Sequence, residues 1–170
     1  ANAAGVSAGV VNGLIDEGAL ETVVLLAEPV AEMPDPAFGH TALSDGQQAA
    51  AAEIVAAMGE GHPPVILLEG VTGSGKTEVY FEAVAEAVRS GRQALILMPE
   101  IALTAQVLDR FADRFGVRPA EWHSGVASKK RHRLWHAVAR GEVAVVAGAR
   151  SALFLPFADL GLVIVDEEHD

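Results

Sequence analysis

Apolar residues follow two patterns along the chain. Short continuous runs predict strands of a parallel sheet covered on both faces, and a recurrence every three or four positions predicts amphipathic helices. The strands predicted beyond residue 60 are 65–69, 94–98, 120–123, 143–147 and 162–165. The helices predicted among them are 44–58, one behind residue 77 that ends near 91, 101–115 and 128–140. Strand and helix alternate, which predicts an α/β fold with a doubly wound parallel sheet.

The first forty residues stand apart from this alternation. Apolar positions between residues 7 and 17 lie on one helical stripe, with Ser7 as the predicted N-cap and Gly18 as the predicted C-cap. Residues 19–26 are predicted to form a strand, and the proline-rich residues 29–40 a linker. We therefore expect a boundary near residue 40.

A glycine-rich segment follows the predicted strand 65–69. Its residues are Gly70, Val71, Thr72, Gly73, Ser74, Gly75, Lys76 and Thr77, which match the spacing G-x-x-x-x-G-K-T. The glycines let backbone N–H groups point inward, and the next helix presents its positive end to a polyphosphate. Lys76 adds a charge for the β- and γ-phosphates, and the Thr77 hydroxyl is a Mg²⁺ ligand. The segment predicts a phosphate-binding loop; the alternative is a strand-to-helix turn with an incidental lysine.

Gln47 has two interpretations. Ser44 and Gln47 have the spacing of a capping box at the start of the helix 44–58, which is a structural role. The functional hypothesis is that Gln47 or Gln48 approaches the adenine of a bound nucleotide.

An acidic cluster follows the last predicted strand. It consists of Asp166, Glu167, Glu168, His169 and Asp170. Ligands of parallel sheets bind at the carboxyl ends of the strands, where one carboxylate can hold Mg²⁺ and its neighbour can orient water toward the γ-phosphate. The alternative is an acidic loop that only ends the strand, but three close carboxylates repel one another without a cation.

Composition narrows the class of protein. The 170 residues are 51% hydrophobic, which is ample for the core of one sizeable domain, and they include no cysteine. Structural disulfides and thiolate zinc sites are therefore excluded, and the histidine spacings do not predict a zinc site. Without a run of about 18 apolar residues or a basic leader, we expect a cytoplasmic protein with no membrane partner.

Charge is distributed unevenly. The net charge is −11, yet residues 1–75 hold ten acids without Lys or Arg (−10), whereas residues 76–170 hold thirteen acids and twelve bases (−1). The second part is therefore able to offer a locally positive face. The basic run 129–133 is interpreted as a solvated helix face, with phosphate contact as the alternative. Trp122 and Trp135 are interpreted as packing residues and not as base-stacking platforms.

With these segments placed, the chain resembles the first motor lobe of the replication-restart DNA helicases of the DEAD/DEAH type. The segments that carry the resemblance are 70–80, 99–104, 123–125, 148–154 and 166–170. The resemblance implies a RecA-like P-loop NTPase lobe that uses ATP and Mg²⁺. It also implies that 41–170 are the N-terminal part of the ATP-binding lobe and that 1–28 end a winged-helix-like DNA-binding element.

The resemblance implies residue roles as well. Gln47 would read adenine, Thr77 and Asp166 would hold Mg²⁺, and the catalytic residues would be Lys76, Asp166 and Glu167. His169 would couple the nucleotide to the DNA-binding side. The residues expected on the backbone of single-stranded DNA are Pro99, Glu100, Thr104, Gly148, Arg150 and Ser151. Ala149 departs from the threonine usual in the family, so the hydroxyl contact made there is not expected.

Further expectations concern parts beyond these residues. In the family a second lobe supplies the arginines that complete the ATP site and the cysteines that bind zinc. The strand after residue 170 would lie between the strand of the phosphate loop and the strand before Asp166, so this segment would be an incomplete lobe. The implied partners are single-stranded and branched DNA, other primosome proteins and single-stranded DNA-binding protein.

The leading hypothesis is an ATP-dependent 3′→5′ DNA helicase that acts in replication restart. One alternative is a P-loop nucleotide kinase, although no acceptor site or arginine-rich lid is evident. Another is a nucleotide-gated DNA-binding or scaffold module without turnover. We expect the isolated 170 residues to hydrolyse ATP negligibly. The resemblance assigns the arginine finger to the second lobe, and such a finger is worth about 10³–10⁵ in rate.

Overall fold

The computed structural model describes residues 5–23, 29–59 and 64–166. Its centre is a sheet of four parallel strands in the order β2-β3-β1-β4. The strands are β1 (Gln93–Leu97), β2 (Ala120–Trp122), β3 (Val145–Gly148) and β4 (Leu160–Val165). β1 and β3 are buried along their whole length, as expected for the centre of a parallel sheet.

Five α-helices accompany the sheet. They are α1 (Ala8–Asp16), α2 (Asp45–Met58), α3 (Lys76–Arg89), α4 (Ala105–Phe115) and α5 (Ser128–Ala139). Helices α3 and α4 pack on one face of the sheet and α5 packs on the other. The predicted doubly wound α/β fold is therefore confirmed. None of the helices in the described ranges is long and apolar enough to cross a bilayer.

Each face of the sheet has its own core. On one face Phe81 of α3 meets Phe111 and Phe115 of α4, with ring centroids 5.6 Å away in both pairs. The edge-to-face geometry adds electrostatic attraction to the burial of large rings. On the other face Leu134 and Val138 of α5 pack against the sheet. β1 and β3 are therefore buried from both faces, and their carboxyl ends lie side by side at one end of the sheet.

The buried amide of Gln93 joins three segments at the opposite edge of the sheet. Its Nε2 donates to the carbonyls of Val138 (3.2 Å) and Val143 (2.8 Å). Its Oε1 accepts from the backbone N–H groups of Ala158 (2.7 Å) and Asp159 (3.1 Å). A buried amide is tolerated because its hydrogen bonds are made. Gln93 therefore ties α5 and the segment before β4 to β1.

The predicted linker lies against α4. Asp35 N–H donates to the Phe115 carbonyl and Gly39 N–H donates to the Arg114 carbonyl, at 3.0 and 3.1 Å. The buried Arg114 guanidinium donates to the Pro36 carbonyl at 2.9 Å and pairs with Glu82 at 3.0 Å. These contacts hold residues 35–39 at the end of α4, whereas the assignment of 1–28, 29–40 and 41–170 as separate units stays a prediction.

Three predicted elements differ in the structure. Residues 65–69 are irregular and not a strand, since no described strand lies beside them to complete a hydrogen-bond ladder. Of the strand predicted at 19–26, residues 19–23 form bends and coil and the remainder lies outside the described residues. The helix predicted at 101–115 is split into a 3₁₀ turn, Glu100–Ala102, and α4, because Thr104 caps a new helix through its hydroxyl.

The other helical predictions are confirmed with small shifts. Ser7 occupies the N-cap of α1 without a capping hydrogen bond, and Gly18 has a φ of 71° just beyond the helix end. Ser44 caps α2 in a complete capping box with Gln47. α5 begins at Ser128, as predicted, with Ala127 as its N-cap.

Candidate functional site

The phosphate loop is shaped by two glycines with left-handed backbones. Gly73 has a φ of 79° and Gly75, the N-cap of α3, a φ of 82°. A Cβ at position 75 would overlap the Gln47 side-chain amide, so the position requires glycine on steric grounds as well. The loop therefore turns tightly into the N-terminus of α3, where unpaired N–H groups favour an anion.

Lys76 is the first residue of α3 and folds back over the loop. Its ammonium donates to the Gly70 carbonyl at 2.7 Å and to the Val71 carbonyl at 3.4 Å. The ammonium is thus held beside the loop backbone and close to the helix N-terminus. This is the place where a cation stabilises the β- and γ-phosphates of a nucleotide.

Gln47 connects α2 to the phosphate loop. Its Nε2 donates to the Ser74 carbonyl at 2.8 Å, while its Oε1 accepts from Ser44 N–H at 2.8 Å. Capping and loop contact are therefore made by the same side chain. Both observations place Gln47 at the loop, and its contact with adenine stays a prediction.

Tyr80 joins the loop helix to the end of β4. One turn beyond Lys76, its hydroxyl donates to Asp166 Oδ2 at 2.6 Å across 86 residues of sequence. Asp166 in turn donates its backbone N–H to the Leu97 carbonyl at 2.8 Å, which fixes it at the carboxyl edge beside β1. The carboxylate after the last strand is therefore held against the helix that carries the phosphate loop.

The phenol of Tyr80 is electrostatically constrained. Burial raises its pKa far above the ordinary value, and the hydrogen bond and charge of Asp166 raise it further. A hydrogen bond from Thr77 acts in the opposite direction and lowers the pKa. Thr77 and Asp166 are thus hydrogen-bonded to the same hydroxyl group, so the two predicted Mg²⁺ ligands are brought together.

The donor set suits magnesium. A hydroxyl and one carboxylate, completed by phosphate oxygens and water, form the kind of site that Mg²⁺ prefers. Within the described residues no group of three or more histidine or carboxylate side chains is arranged to hold a metal ion. The binding of Mg²⁺ by Thr77 and Asp166 stays a prediction. Glu167 and His169 lie outside the described residues, so their roles stay predictions.

The residues predicted to contact DNA share the same edge of the sheet. Pro99, Glu100 and Thr104 follow β1, and Gly148, Arg150 and Ser151 follow its neighbour β3. All except Gly148 are exposed. Gly148 is buried where a Cβ would meet the Ala152 Cβ at 2.7 Å and the Trp122 carbonyl at 2.8 Å. The chain thus brings two separate segments into one continuous exposed edge.

Glu100 contacts a loop of the protein at this edge. Its carboxylate accepts a hydrogen bond from the Ser124 hydroxyl and lies 3.9 Å from His123 Nδ1. A carboxylate has no proton to donate to a phosphate, so the contact open to Glu100 is the ordering of the loop after β2. Arg150, by contrast, is a cation exposed at the same edge.

The polar contact of Tyr80 was not predicted from the sequence. The ring is buried, but its hydroxyl reaches the Asp166 carboxylate. The available signal was chemical, because a buried tyrosine hydroxyl usually needs a hydrogen-bond partner. Its partner was not predictable, since the two residues are distant in sequence.

Comparison with known proteins follows from these features. A family profile described as DEAD/DEAH box helicase matches residues 44–170. The chain is 44% identical over 128 residues to the replication restart protein PriA of Bacillus subtilis, which is 75% of the chain and 16% of that protein. Identity to PriA of Rickettsia felis is 48% over 118 residues (69% and 18%), and to that of Synechocystis 49% over 105 (62% and 13%). The chain spans less than a fifth of the length of these curated relatives.

Proposed function

The chain belongs to the DEAD/DEAH box helicase family, and from this premise we propose that it forms the nucleotide-binding part of an ATP-dependent 3′→5′ DNA helicase of replication restart. The family supplies the general chemistry of nucleotide and Mg²⁺ use. The restart role and the DNA substrate are inferred from relatives named replication restart protein PriA.

One observation carries the proposal. The Tyr80 hydroxyl bridges the helix of the phosphate loop to Asp166 at the end of β4, with a hydrogen bond of 2.6 Å. Nucleotide hydrolysis in this class needs a phosphate cradle and a carboxylate held at a fixed distance from each other. The bridge supports the assignment of both parts to one site.

The residues of the loop divide the binding work. The backbone of 70–75 and the N-terminus of α3 would accept the phosphates, and Lys76 would exchange its carbonyl partners for phosphate oxygens. Gln47 keeps the loop backbone in place through Ser74. Thr77 and Asp166 would hold Mg²⁺, which would neutralise negative charge on the nucleotide.

Hydrolysis requires a group that orients the attacking water, and we assign this role to Glu167. The assignment rests on its position directly after Asp166. In a helicase of full family length that carries these residues, Glu167→Gln should abolish DNA-stimulated ATP hydrolysis while nucleotide binding survives. Glu168→Gln is the matched control and should retain turnover. Turnover of Glu167→Gln near the parental rate would mean that Glu167 is not the catalytic carboxylate.

The DNA-binding part of the proposal uses the exposed edge after β1 and β3. Arg150 would contact phosphate, Thr104 and Ser151 would donate hydroxyl hydrogen bonds to the backbone, and Pro99 would pack against it. Glu100 would act through Ser124 and not on the DNA itself. The same edge ends at Asp166, which offers a short route between the nucleotide and the DNA.

Nucleotide binding is the direct test of the proposed function. Titration of a fluorescent ATP analogue with Mg²⁺ should give an affinity that Lys76→Ala weakens by about 1.5–3 kcal/mol, because a charge-assisted phosphate contact is lost. Lys130→Ala removes an exposed lysine of α5 and serves as the control. Equal affinity of the parent chain and Lys76→Ala would contradict the phosphate-loop assignment.

A further inference from the structure

We propose that one face of α5 binds the phosphate backbone of duplex DNA, as a second DNA contact beside the exposed edge. The face, here called the α5 stripe, consists of Lys129, His132, Arg133, His136 and Arg140. The choice of DNA rests on the proposed function, whereas the stripe itself rests on helix geometry, charge and the groove that it lines.

Helix geometry aligns the five residues. At 3.6 residues per turn, positions 129, 132, 133, 136 and 140 fall within a sector about 100° wide. The buried residues Leu134, Ala137 and Val138 lie on the side that faces the sheet. From Lys129 to Arg140 the stripe is about 16 Å long at 1.5 Å per residue. The basic groups therefore form a line and not a scattered surface.

The charge of this line contrasts with the rest of the chain. The α5 stripe contains three of the twelve Lys and Arg residues together with two histidines, residues 129–140 as a whole contain five, and no acidic residue occurs between Glu121 and Glu142. The chain as a whole carries a net charge of −11. A local basic surface on an acidic protein attracts an anionic polymer, because screening confines repulsion from distant acids to roughly 10 Å.

A groove runs beside the stripe. It has a volume of about 570 Å³ and is lined by Pro29, Val30, His132, Arg133, His136, Arg140 and Glu142. The imidazoles of His132 and His136 lie side by side, with their Nε2 atoms 3.3 Å apart. Among the described lining residues the acid is Glu142, whose two oxygens bind Arg140 at 2.6 and 2.8 Å. His132, Arg133, His136 and Arg140 bring N–H donors of the kind that bind phosphate oxygens to this groove.

The surroundings favour a duplex over a single strand. Single-strand grooves combine basic residues with aromatic rings on which bases stack. Here the two tryptophans lie outside the stripe: Trp135 packs toward Trp122 at a centroid distance of 6.2 Å, and the guanidinium of Arg131 lies over the Trp122 ring. The stripe has basic groups without such rings, which suits contact with a backbone alone. A duplex presents one charge per about 1.7 Å of axis, so the line faces several phosphates.

The stripe also begins near the proposed single-strand contacts. α5 starts at Ser128, four residues after Ser124, which is hydrogen-bonded to Glu100 at the exposed edge. It then runs back along the sheet face that is opposite α3 and α4. A duplex that continues from a strand bound at the edge would meet Lys129 first and Arg140 last.

The test compares two variants of equal net charge. Lys129→Gln with Arg133→Gln removes two charges from the stripe. Arg89→Gln with Arg118→Gln removes two half-exposed charges (side-chain exposure 46% and 49%) associated with α3 and α4 on the other sheet face. Fluorescence anisotropy with a labelled 20-base-pair duplex and a 20-nucleotide single strand gives the affinities. Measurements from 25 to 200 mM salt contain EDTA, so that no metal ion bridges His132 and His136 to DNA.

The stripe variant should bind duplex about tenfold or more weakly at low salt. The slope of log affinity against log salt should fall by about two, since each lost phosphate contact removes about 0.9. The control variant should keep the slope of the parent chain. Equal losses in the two variants, no loss in the stripe variant, a loss confined to single-stranded DNA, or no duplex binding by the parent chain would each overturn the proposal.

Two further readouts separate this proposal from others. Affinity for Mg-ATP should be unchanged in the stripe variant. The proposed function fails if Lys76→Ala binds Mg-ATP as tightly as the parent chain does, and this outcome is distinguishable from a failure of duplex binding. Both the stripe variant and the control variant should be folded at the temperature of the binding experiment, which far-UV circular dichroism checks. If the parent chain binds an acidic polypeptide such as polyglutamate but does not bind duplex, and the stripe variant loses the polyglutamate binding, the partner is an acidic protein and the DNA assignment is wrong.

Discussion

Two apolar runs of similar composition have different structures in this molecule. Residues 94–97 form most of β1 and are buried between two neighbouring strands, with Leu95 fully inaccessible. Residues 65–68 are equally apolar, yet they are irregular, and Val65 and Leu67 are 102% and 79% exposed. The comparison shows that an apolar run becomes a strand only where another strand satisfies its backbone.

β4 is intermediate between these two cases. It pairs with β1 on one side, and on its other side no described strand is paired with it. Val163 and Val165 are accordingly 44% and 55% exposed, although they belong to a regular strand. Burial in this sheet therefore declines from its paired centre toward β4.

The largest expected effect comes from making the same substitution, leucine to alanine, in each of the two apolar runs. Leu95→Ala should destabilise the chain by about 2–5 kcal/mol, because it leaves a cavity in the core. Leu67→Ala should change stability by no more than about 0.5 kcal/mol, since the side chain is exposed. Urea unfolding followed by tryptophan fluorescence measures both. Equal losses would show that residues 65–68 are packed in solution.

A second prediction concerns the buried Gln93 amide, which joins β1 to α5 and to the segment before β4. Gln93→Ala should cost about 2–4 kcal/mol, because it removes a buried amide that donates to the carbonyls of Val138 and Val143. Gln106→Ala, on the exposed face of α4, is the control and should lie within about 0.5 kcal/mol of the parent chain. The same urea titration applies. A neutral Gln93→Ala would mean that water replaces the amide.

The unpaired side of β4 predicts self-association of the isolated chain. An unpaired apolar strand edge is a template for pairing with another copy. Val163→Lys should weaken association about tenfold or more, which corresponds to about 1.4 kcal/mol. Val10→Lys, in the exposed helix α1, is the matched control and should have no effect. Multi-angle light scattering across a concentration series measures both, and a parent chain that stays monomeric at every concentration would contradict the prediction.

Sequence patterns predicted the elements that depend on local signals. Ser44 and Gln47 formed the expected capping box, and Gly75 the expected turn into α3. The doubly wound alternation was also correct, because continuous apolar runs and amphipathic spacings report burial on both faces. The strand at 65–69 failed for a non-local reason: the run itself is apolar, but its structure depends on a neighbour that the run does not encode.

The candidate site was predictable to the same extent. The loop at 70–77 and the edge after β1 and β3 followed from motifs with fixed spacing. The Tyr80 to Asp166 hydrogen bond did not, since it joins residues 86 positions apart. The second role of Gln47, its contact with Ser74, required the three-dimensional approach of α2 to the loop. Contacts between elements are set by packing, and spacing alone does not specify them.

The smallest expected effect concerns the hydrogen bond between Tyr80 and Asp166, which joins the helix of the phosphate loop to the end of β4. Tyr80→Phe removes the hydrogen bond to Asp166 and should cost about 0.5–1.5 kcal/mol of stability. It should also weaken Mg-ATP binding by up to about tenfold, because Asp166 loses a group that positions it. Arg110→Gln, which removes an exposed ion pair with Glu78, is the control for stability.

The same contact has a pH signature that a purely steric role of the ring would lack. Burial and Asp166 raise the pKa of Tyr80 in the folded chain above its ordinary value of about 10. Above that pH the unfolded chain releases the proton and the folded chain keeps it, so stability should fall as pH rises, and Tyr80→Phe should remove this slope. Tyr80 is the single tyrosine of the chain, so phenolate absorbance near 295 nm reports on it alone. A native chain that ionises near pH 10, as it does in urea, would mean that the hydroxyl is exposed and that the phosphate-loop helix and β4 are not joined through it.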